Sequence, residues 1–210
     1  GLVVLGEPII SLIYQRGEFS SFDTNMTAWA LTAYSVGLAG YAAIKVLSPS
    51  FYALDDAKTP MYVSLASIAI HVFLSFGMMR LLSTVGVTPE RPNGFGHVGV
   101  ALATSIVALF NFFALALLMR KRIERLNGRE IFSSFVRILL ASAAMSAVCY
   151  FSYEYLHGRF PEKSLLVRLI EAFVPIALGG ITFLAAAKLL GIEELERLYS
   201  ALSRKLRPAK

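Results

Sequence analysis

The sequence is short of charge and has a single cysteine. Charged residues make up 16% of the chain, whereas a soluble domain carries about 25% because its surface faces water. This shortage excludes an ordinary soluble domain and indicates an outer surface that faces lipid. Cys149 lies in the apolar run AMSAVCYFSY, so we expect a buried, unreactive thiol. A lone cysteine cannot form a disulfide within its own chain, so the cysteine count does not indicate a redox compartment.

Apolar residues are abundant and fall into long blocks. They account for 56% of the chain, and the mean hydropathy is +0.63. A helix needs about 20 apolar residues to cross the hydrocarbon core. Five blocks reach that length without the period-two alternation that marks a strand. The predicted spans are about 24–47, 61–82, 98–119, 135–156 and 165–190.

The opening segment, GLVVLGEPIISLIY, is also apolar. It lacks the basic start and the small-residue cleavage site of a signal peptide. We expect it to be the end of a transmembrane helix that begins before this sequence. The predicted fold is therefore all-α: a polytopic membrane helical bundle with about five full transmembrane helices plus the end of a preceding one.

Local signals predict where the first two helices begin and end. Asp23 and Thr24 can accept hydrogen bonds from the free amides at the start of the first helix, and Pro49 follows its predicted end. Thr59 is predicted to cap the second helix, with Pro60 in the first turn, where a residue needs no amide donor.

The 20 Lys and Arg residues lie mainly between the apolar blocks. Most are in or near the connections 48–60 and 120–134 and in the segment after residue 190. Because basic loops stay in the cytoplasm, these three segments are predicted to be cytoplasmic. The net charge of +6 does not indicate a nucleic-acid partner, since basic residues that bind nucleic acid line one face of a soluble fold.

The last segment, 191–210, is predicted to be a cytoplasmic basic amphipathic tail, and residues 1–190 a transmembrane lobe. Leu195, Leu198 and Leu202 fall on one helical face, flanked by basic residues. Such a helix lies against anionic lipid headgroups. The alternative is a tail that binds a protein.

Four side chains within the spans are candidate substrate-binding residues, because polar and ionisable groups are costly in lipid and often functional. Lys45 either extends to the interface or lines a cavity that meets an anionic substrate. His71 is either a neutral histidine bonded to a neighbouring helix or a proton-linked or substrate-contacting group. Glu171 lies three residues after Arg168 on the same face, which favours an ion pair between them. Asn111 is expected to form a hydrogen bond between helices.

No catalytic grouping emerges from the sequence. The three histidines are scattered without metal-ligand spacing, and no nucleophile motif or phosphate-binding glycine loop is present. An intramembrane enzyme needs two or three convergent polar groups in a cleft. We therefore expect no catalytic residue, metal or cofactor in this chain.

Three segments resemble a known family of membrane transporters. Residues 13–24, IYQRGEFSSFDT, are similar to an apolar segment followed by (Q/F)RGxFxxxDT. Residues 33–60, AYSVGLAGYAAIKVLSPSFYALDDAKTP, resemble a tenth helix and the cytoplasmic segment after it. Residues 96–111, GHVGVALATSIVALFN, resemble the start of a twelfth helix. On these motifs, which cover the first half, the chain resembles the MurJ (MviN) lipid II flippase family of the multidrug/oligosaccharidyl-lipid/polysaccharide exporter superfamily.

The resemblance implies a position within a larger protein. That family has fourteen helices with both ends in the cytoplasm, so this chain would be a C-terminal part containing the end of the ninth helix and the tenth to fourteenth. Its partners would include membrane lipids and the missing N-terminal lobe of the same protein. The family's cationic substrate-binding residues lie mostly in the first, second and eighth helices, outside this chain. His71 stands where the family would have an amide or an apolar residue.

The resemblance also implies an activity. The family flips an undecaprenyl-diphosphate-linked peptidoglycan precursor from the inner to the outer leaflet of the bacterial inner (plasma) membrane by alternating access. Its last two helices help to form an apolar groove for the lipid tail, so spans 135–156 and 165–190 are groove candidates. The alternatives are another exporter of the superfamily (a drug/cation antiporter or a polysaccharide-unit flippase), a membrane enzyme acting on lipid-linked sugars, or a structural membrane subunit.

Overall fold

A computed structural model describes residues 1–14, 19–89, 92–123, 128–159 and 164–191. Within these ranges the chain is helical and contains no β-strand. Five helices are long and apolar enough to cross a membrane, and the first helix is shorter. The predicted all-α, multi-pass membrane bundle is therefore confirmed. The helices are α1 (Leu2–Tyr14), α2 (Ser21–Tyr52), α3 (Lys58–Ser83), α4 (Gly96–Arg122), α5 (Gly128–Arg159) and α6 (Leu165–Leu189).

The helices carry their large apolar side chains on the outside. On α3, Phe73 is 79% exposed and Phe76 is 63% exposed. Contiguous apolar surface of this kind is unfavourable in water but is well solvated by hydrocarbon. The outer surface of the helices is therefore the lipid-facing surface that the shortage of charge predicts.

The described helices belong to two compact units. One contains α2, α3 and α4, and the other contains α1, α5 and α6. In the first unit α4 packs along both α2 and α3, while α2 and α3 touch each other only slightly. Helix α4 is thus the element that holds this unit together.

Small residues let α4 approach its two neighbours closely. A Cβ atom added to Gly37 of α2 would lie 2.7 Å from the Cα atom of Ser105, and one added to Gly99 would collide with the carbonyl oxygen of Met78 on α3. The hydroxyl of Ser105 donates a 2.6 Å hydrogen bond to the carbonyl oxygen of Ala33. Such small-residue contacts replace the hydrophobic effect as the source of helix association in lipid.

At the opposite end of the same unit, a buried apolar cluster joins all three helices. Phe51 of α2 is fully buried and packs with Val63 of α3 and with Leu115 and Met119 of α4. We call this group the Phe51 cluster. It follows directly from the length of α2, which continues through Pro49.

Three predictions about helix ends are wrong. Ser20, not Asp23 or Thr24, caps α2: its hydroxyl accepts the Asp23 N–H at 3.3 Å, and the Asp23 carboxylate accepts the Ser20 N–H at 2.9 Å. This reciprocal capping box satisfies two free amides instead of one. Pro49 lies inside α2 because a proline in the last turn removes only one backbone bond. Thr59 does not cap α3, because the helix already begins at Lys58. The Asp56 carboxylate accepts the Thr59 N–H at 3.0 Å.

The α1–α5–α6 unit is closed by small residues between α5 and α6. Ala141 of α5 and Ala187 of α6 are completely buried against each other. Cys149 is 2% exposed, and its thiol donates to the carbonyl oxygen of Pro175 at 3.4 Å. A Cβ atom at Gly179 would collide with the Cys149 sulfur. The predicted buried thiol is confirmed, and it lies at a close contact between the two helices.

Parts of the sequence predictions fall outside the described residues. The amphipathic tail lies there from residue 192 onward, as do residues 15–18 of the first resembling motif and residues 124–127 of the basic connection.

Candidate functional site

A cavity of about 320 Å³ lies among α2, α3 and α4, and we call it the α2–α3–α4 cavity. Two of the four predicted site residues line it: His71 from α3 and Asn111 from α4. The rest of the wall is a mixture of aliphatic side chains and hydroxyl groups. Its polar lining residues are Tyr41, Ser64, Ser67, His71, Thr104 and Asn111.

His71 lies midway along α3 and is half-buried. Its Nε2 atom is 3.0 Å from the hydroxyl oxygen of Thr104 on α4 and 3.3 Å from that of Ser75 on its own helix. The Thr104 hydroxyl also lies 3.0 Å from the carbonyl oxygen of Val100, to which it donates. The structure therefore bonds His71 to a neighbouring helix, which is one of the two roles that the sequence left open.

Asn111 lies two turns beyond Thr104 on the same side of α4. Its Oδ1 atom is buried and has no hydrogen-bond partner among the described residues. The predicted interhelical hydrogen bond is thus not made by this oxygen. Buried side-chain carbonyls are nearly always bonded, so this oxygen is an exception, and the role of Asn111 stays a prediction.

Lys45 belongs to the same unit but does not line the cavity. It follows two lining residues, Tyr41 and Ile44, on α2, and it is exposed. Lys45 is therefore near His71 and Asn111 in the fold but not part of the same polar wall.

Glu171 lies in the other unit, on α6. Its carboxylate is 13% exposed and lies 3.1 Å from Nδ1 of His157 on α5. This contact links α5 to α6 near the start of α6, and the Arg168 pairing that the sequence favoured stays a prediction. Glu171 belongs to the α1–α5–α6 unit, whereas the cavity residues belong to the α2–α3–α4 unit.

The sequence analysis missed a polar contact at the end of α4. Asp56, in the turn between α2 and α3, accepts hydrogen bonds from the Thr59 hydroxyl at 2.7 Å and from the Arg122 guanidinium at 2.6 Å. The bonds from the Thr59 hydroxyl and N–H, with the charge of Arg122, hold the pKa of Asp56 below its ordinary value. We call this group the Asp56 clip. It ties α4 to the start of α3 beside the Phe51 cluster.

Other lining residues were missed although a spacing signal exists. Ser67 and His71 are four residues apart, and Thr104 and Asn111 are seven apart, so each pair falls on one helical face. Polar residues repeated at that spacing within an apolar span predict a polar stripe. Across the described ranges, no three His, Cys, Asp or Glu side chains lie close enough together to hold a metal ion.

The chain is similar to a well-defined group of proteins. A family model described as lipid II flippase MurJ matches residues 1–171. The "Probable lipid II flippase MurJ" of Rickettsia prowazekii (strain Madrid E) is 31% identical over 199 residues, which cover 91% of this chain and 35% of the relative. The protein of the same name from Thermotoga maritima (strain ATCC 43589 / DSM 3109 / JCM 10099 / NBRC 100826 / MSB8) is 31% identical over 202 residues, covering 94% of this chain and 35% of the relative.

A third relative of that name, from Bdellovibrio bacteriovorus (strain ATCC 15356 / DSM 50701 / NCIMB 9529 / HD100), is 29% identical over 198 residues, with 94% of this chain and 35% of the relative covered. The chain thus spans about a third of the length of the curated relatives it matches. The family match covers most of the chain, and the helices have the length and apolar surface of a multi-pass membrane protein. This chain belongs to the lipid II flippase MurJ family.

Proposed function

We propose that this chain is the C-terminal part of a lipid II flippase, which moves an undecaprenyl-diphosphate-linked peptidoglycan precursor from the inner to the outer leaflet by alternating access. The observation that carries the proposal is the family match over residues 1–171. The five apolar helices support it, because moving a lipid-linked substrate requires a membrane-embedded scaffold. This activity is proposed for the whole protein, which would transport the precursor and would not catalyse a reaction.

The apolar surface of α5 and α6 suits the lipid part of such a substrate. Phe151, Phe173 and Ile181 are all more than half exposed. A polyprenyl chain has no hydrogen-bonding groups, so it can slide along this surface without leaving a polar group unpaired. We propose that spans 135–156 and 165–190 contact the tail of the precursor.

The polar candidates suit the head of the substrate. Lys45 is an exposed cation within a span and can pair with a diphosphate. His71 and Asn111 offer hydrogen-bonding groups in the α2–α3–α4 cavity, and Glu171 offers a carboxylate near the start of α6. We propose these four residues as contacts for the polar part of the precursor. The N-terminal lobe of the same protein would supply most of the cationic site.

The proposed setting is the bacterial inner membrane, with the basic segments inside the cell. Arg120, Lys121 and Arg122 form the last turn of α4, and such basic ends stay in the cytoplasm. In this orientation the Asp56 clip and the Phe51 cluster lie toward the cytoplasm, and residues 191–210 form a cytoplasmic basic tail against the membrane surface. The lobe formed by residues 1–190 then spans the bilayer five times.

A chimera tests the proposal. This chain would replace the matched third of the Thermotoga maritima relative, and the chimera would be expressed in a bacterium depleted of its own flippase. We expect growth to be restored and the precursor to become accessible to an enzyme acting outside the cell. Failure of a well-inserted chimera to support either would refute the proposed function.

The chain alone is the control. Because the cationic part of the site is proposed to lie elsewhere in the protein, residues 1–210 in vesicles should not flip the precursor. Flipping by the isolated chain would contradict the proposal that the cationic part of the site lies outside this chain. A chimera carrying Lys45→Ala should rescue growth less well than one carrying Lys58→Ala, a lysine at the first turn of α3.

A further inference from the structure

The last turn of α4 contains three consecutive basic residues with different surroundings. Arg122 is paired within the chain, since its guanidinium lies 2.6 Å from the Asp56 carboxylate. Arg120 and Lys121 are exposed, and neither has a hydrogen-bond or ion-pair partner among the described residues. Two of the three cations are therefore available to an anion from outside the chain.

These two cations lie at the end of an exposed apolar face of α4. The members of this face recur every three or four residues and so share one side of the helix. They are Ile106, Phe110, Phe113 and Leu117, which are 41% to 60% exposed. The opposite side, which includes Ala108 and Leu115, is buried. Arg120 and Lys121 follow Leu117 by three and four residues, so they lie one turn beyond it and flank the face on either side.

The length of this face matches one leaflet of a bilayer. Ile106 and Leu117 are eleven residues apart, which is about 16 Å along an α-helix at 1.5 Å per residue. Half of the hydrocarbon core is about 15 Å thick. An acyl chain that lies along the whole face therefore brings its headgroup to the level of Arg120 and Lys121.

We propose that this end of α4 binds an anionic phospholipid. Arg120 and Lys121 hold its phosphate, and one acyl chain lies along the exposed face from Leu117 to Ile106. A guanidinium can form two parallel hydrogen bonds to a phosphate, and the lysine ammonium adds a second positive charge. A zwitterionic lipid has the same phosphate but carries its own cation, which the two basic side chains repel. The site therefore selects a headgroup with a net negative charge.

Fluorescence quenching in phosphatidylcholine nanodiscs tests the proposal. The reporter is Phe113→Trp in a Trp29→Phe background, which removes the one native tryptophan and keeps an aromatic ring at both positions. The quencher is a small fraction of lipid with brominated acyl chains, either phosphatidylglycerol or phosphatidylcholine. Since one basic residue favours anionic lipid by about five-fold, phosphatidylglycerol should reach half-maximal quenching at about a fifth of the mole fraction or less. Equal quenching by the two lipids would overturn the proposal.

A matched pair of charge changes tests the role of Arg120. In the reporter background, Arg120→Gln should lower the preference for phosphatidylglycerol by about five-fold. Arg122→Gln is the same substitution in the same turn, but at the residue that is paired with Asp56, and it should leave the preference unchanged. Equal losses in the two variants would mean that the preference reflects the overall charge of the turn and would refute the assignment of Arg120.

A second reporter tests whether the preference is local. Phe151→Trp, also in the Trp29→Phe background, places an indole at a position of α5 where the ring is 70% exposed and no Lys or Arg lies within seven residues. Both brominated lipids should quench this indole equally. The same preference at both reporters would show that anionic lipid gathers around the whole chain and would contradict a site on α4.

The chain without substitutions gives an independent measurement. When it is released from detergent in a mass spectrometer with equal amounts of the two lipids, it should retain more phosphatidylglycerol, and equal retention would refute the site even if a reporter variant misfolds. Phe113→Trp in the chimera with the Thermotoga maritima relative extends the test to the whole protein. Quenching by neither lipid there would show that another part of the protein covers the face and would overturn the proposal. Growth rescue by the same chimera tests the proposed function separately.

Discussion

Replacing Phe51 with alanine should destabilise the α2–α3–α4 unit more than any change to an exposed aromatic ring. Phe51 is fully buried among Val63, Leu115 and Met119. In soluble proteins Phe→Ala costs about 3–5 kcal/mol, of which part is the transfer of the ring into water. A membrane protein lacks much of that transfer term because its unfolded helices remain in lipid.

The void left by Phe51→Ala therefore determines the expected loss in the free energy of unfolding. At about 24 cal/mol per Å³, an unfilled void of roughly 100 Å³ costs about 2.4 kcal/mol. Phe73→Ala is the matched control, because Phe73 is 79% exposed on α3 and its ring contacts lipid. Its effect on the free energy of unfolding should stay within about 0.5 kcal/mol.

Titration with sodium dodecyl sulfate, followed by circular dichroism in mild detergent, measures both variants. The free energy of unfolding of Phe51→Ala should fall by about 2–3 kcal/mol relative to the unsubstituted chain. If Phe51→Ala and Phe73→Ala lower it equally, packing against the Phe51 cluster does not stabilise the unit and the reasoning fails.

Two further substitution pairs follow from the same unit. Gly37→Ala should lower the free energy of unfolding by about 1–3 kcal/mol because its Cβ would overlap Ser105. Gly77→Ala is the control: its Cβ would meet no atom within 4 Å, so the free energy of unfolding should stay the same or rise by up to about 1 kcal/mol. The opposite order of the two variants in detergent titrations would contradict the packing of α2 against α4. Asp56→Asn should lower stability at pH 7, while Asp55→Asn should not, since asparagine also tolerates the φ of +56° at that residue.

The pH dependence of the Asp56 clip has a definite sign. The pKa of Asp56 is lower in the folded chain than its ordinary value of 3.8. Its contribution to stability is therefore fully present above pH 3.8 and is lost as the pH falls through the folded value. Acid titration of the unfolding midpoint should show a smaller loss below about pH 4 in Asp56→Asn than in the unsubstituted chain. Parallel curves would rule the clip out as a source of stability.

Much of the fold was predictable because lipid imposes a simple rule. A span must be about 20 residues long and apolar, and all five predicted spans correspond to described helices. The helix ends were less predictable, because several residues could act as caps within a few positions. The sequence analysis chose Asp23 as the cap of α2 and overlooked Ser20. In the structure each of these two side chains accepts a hydrogen bond from the backbone N–H of the other.

Two residues of the cavity, His71 and Asn111, were predictable, but their grouping in one cavity was not. His71 and Asn111 stand out as polar residues within apolar spans. They share a cavity only because α3 and α4 pack with these two faces toward each other, and the sequence pattern of a single helix does not predict that packing. The Asp56 clip joins residues 66 positions apart, and such a contact requires the packed unit. Glu171 shows the limit of local spacing, since its partner His157 lies on the preceding helix, α5.

The arrangement of α4 between α2 and α3 has a consequence for how this unit tolerates change. Outside the Phe51 cluster, α2 and α3 barely touch, so a substitution there on one helix affects the other only through α4. Such changes on α2 and α3 should therefore combine additively, while a residue on α4 must pack against two partners at once. Helix α4 should therefore tolerate fewer substitutions than α2 or α3.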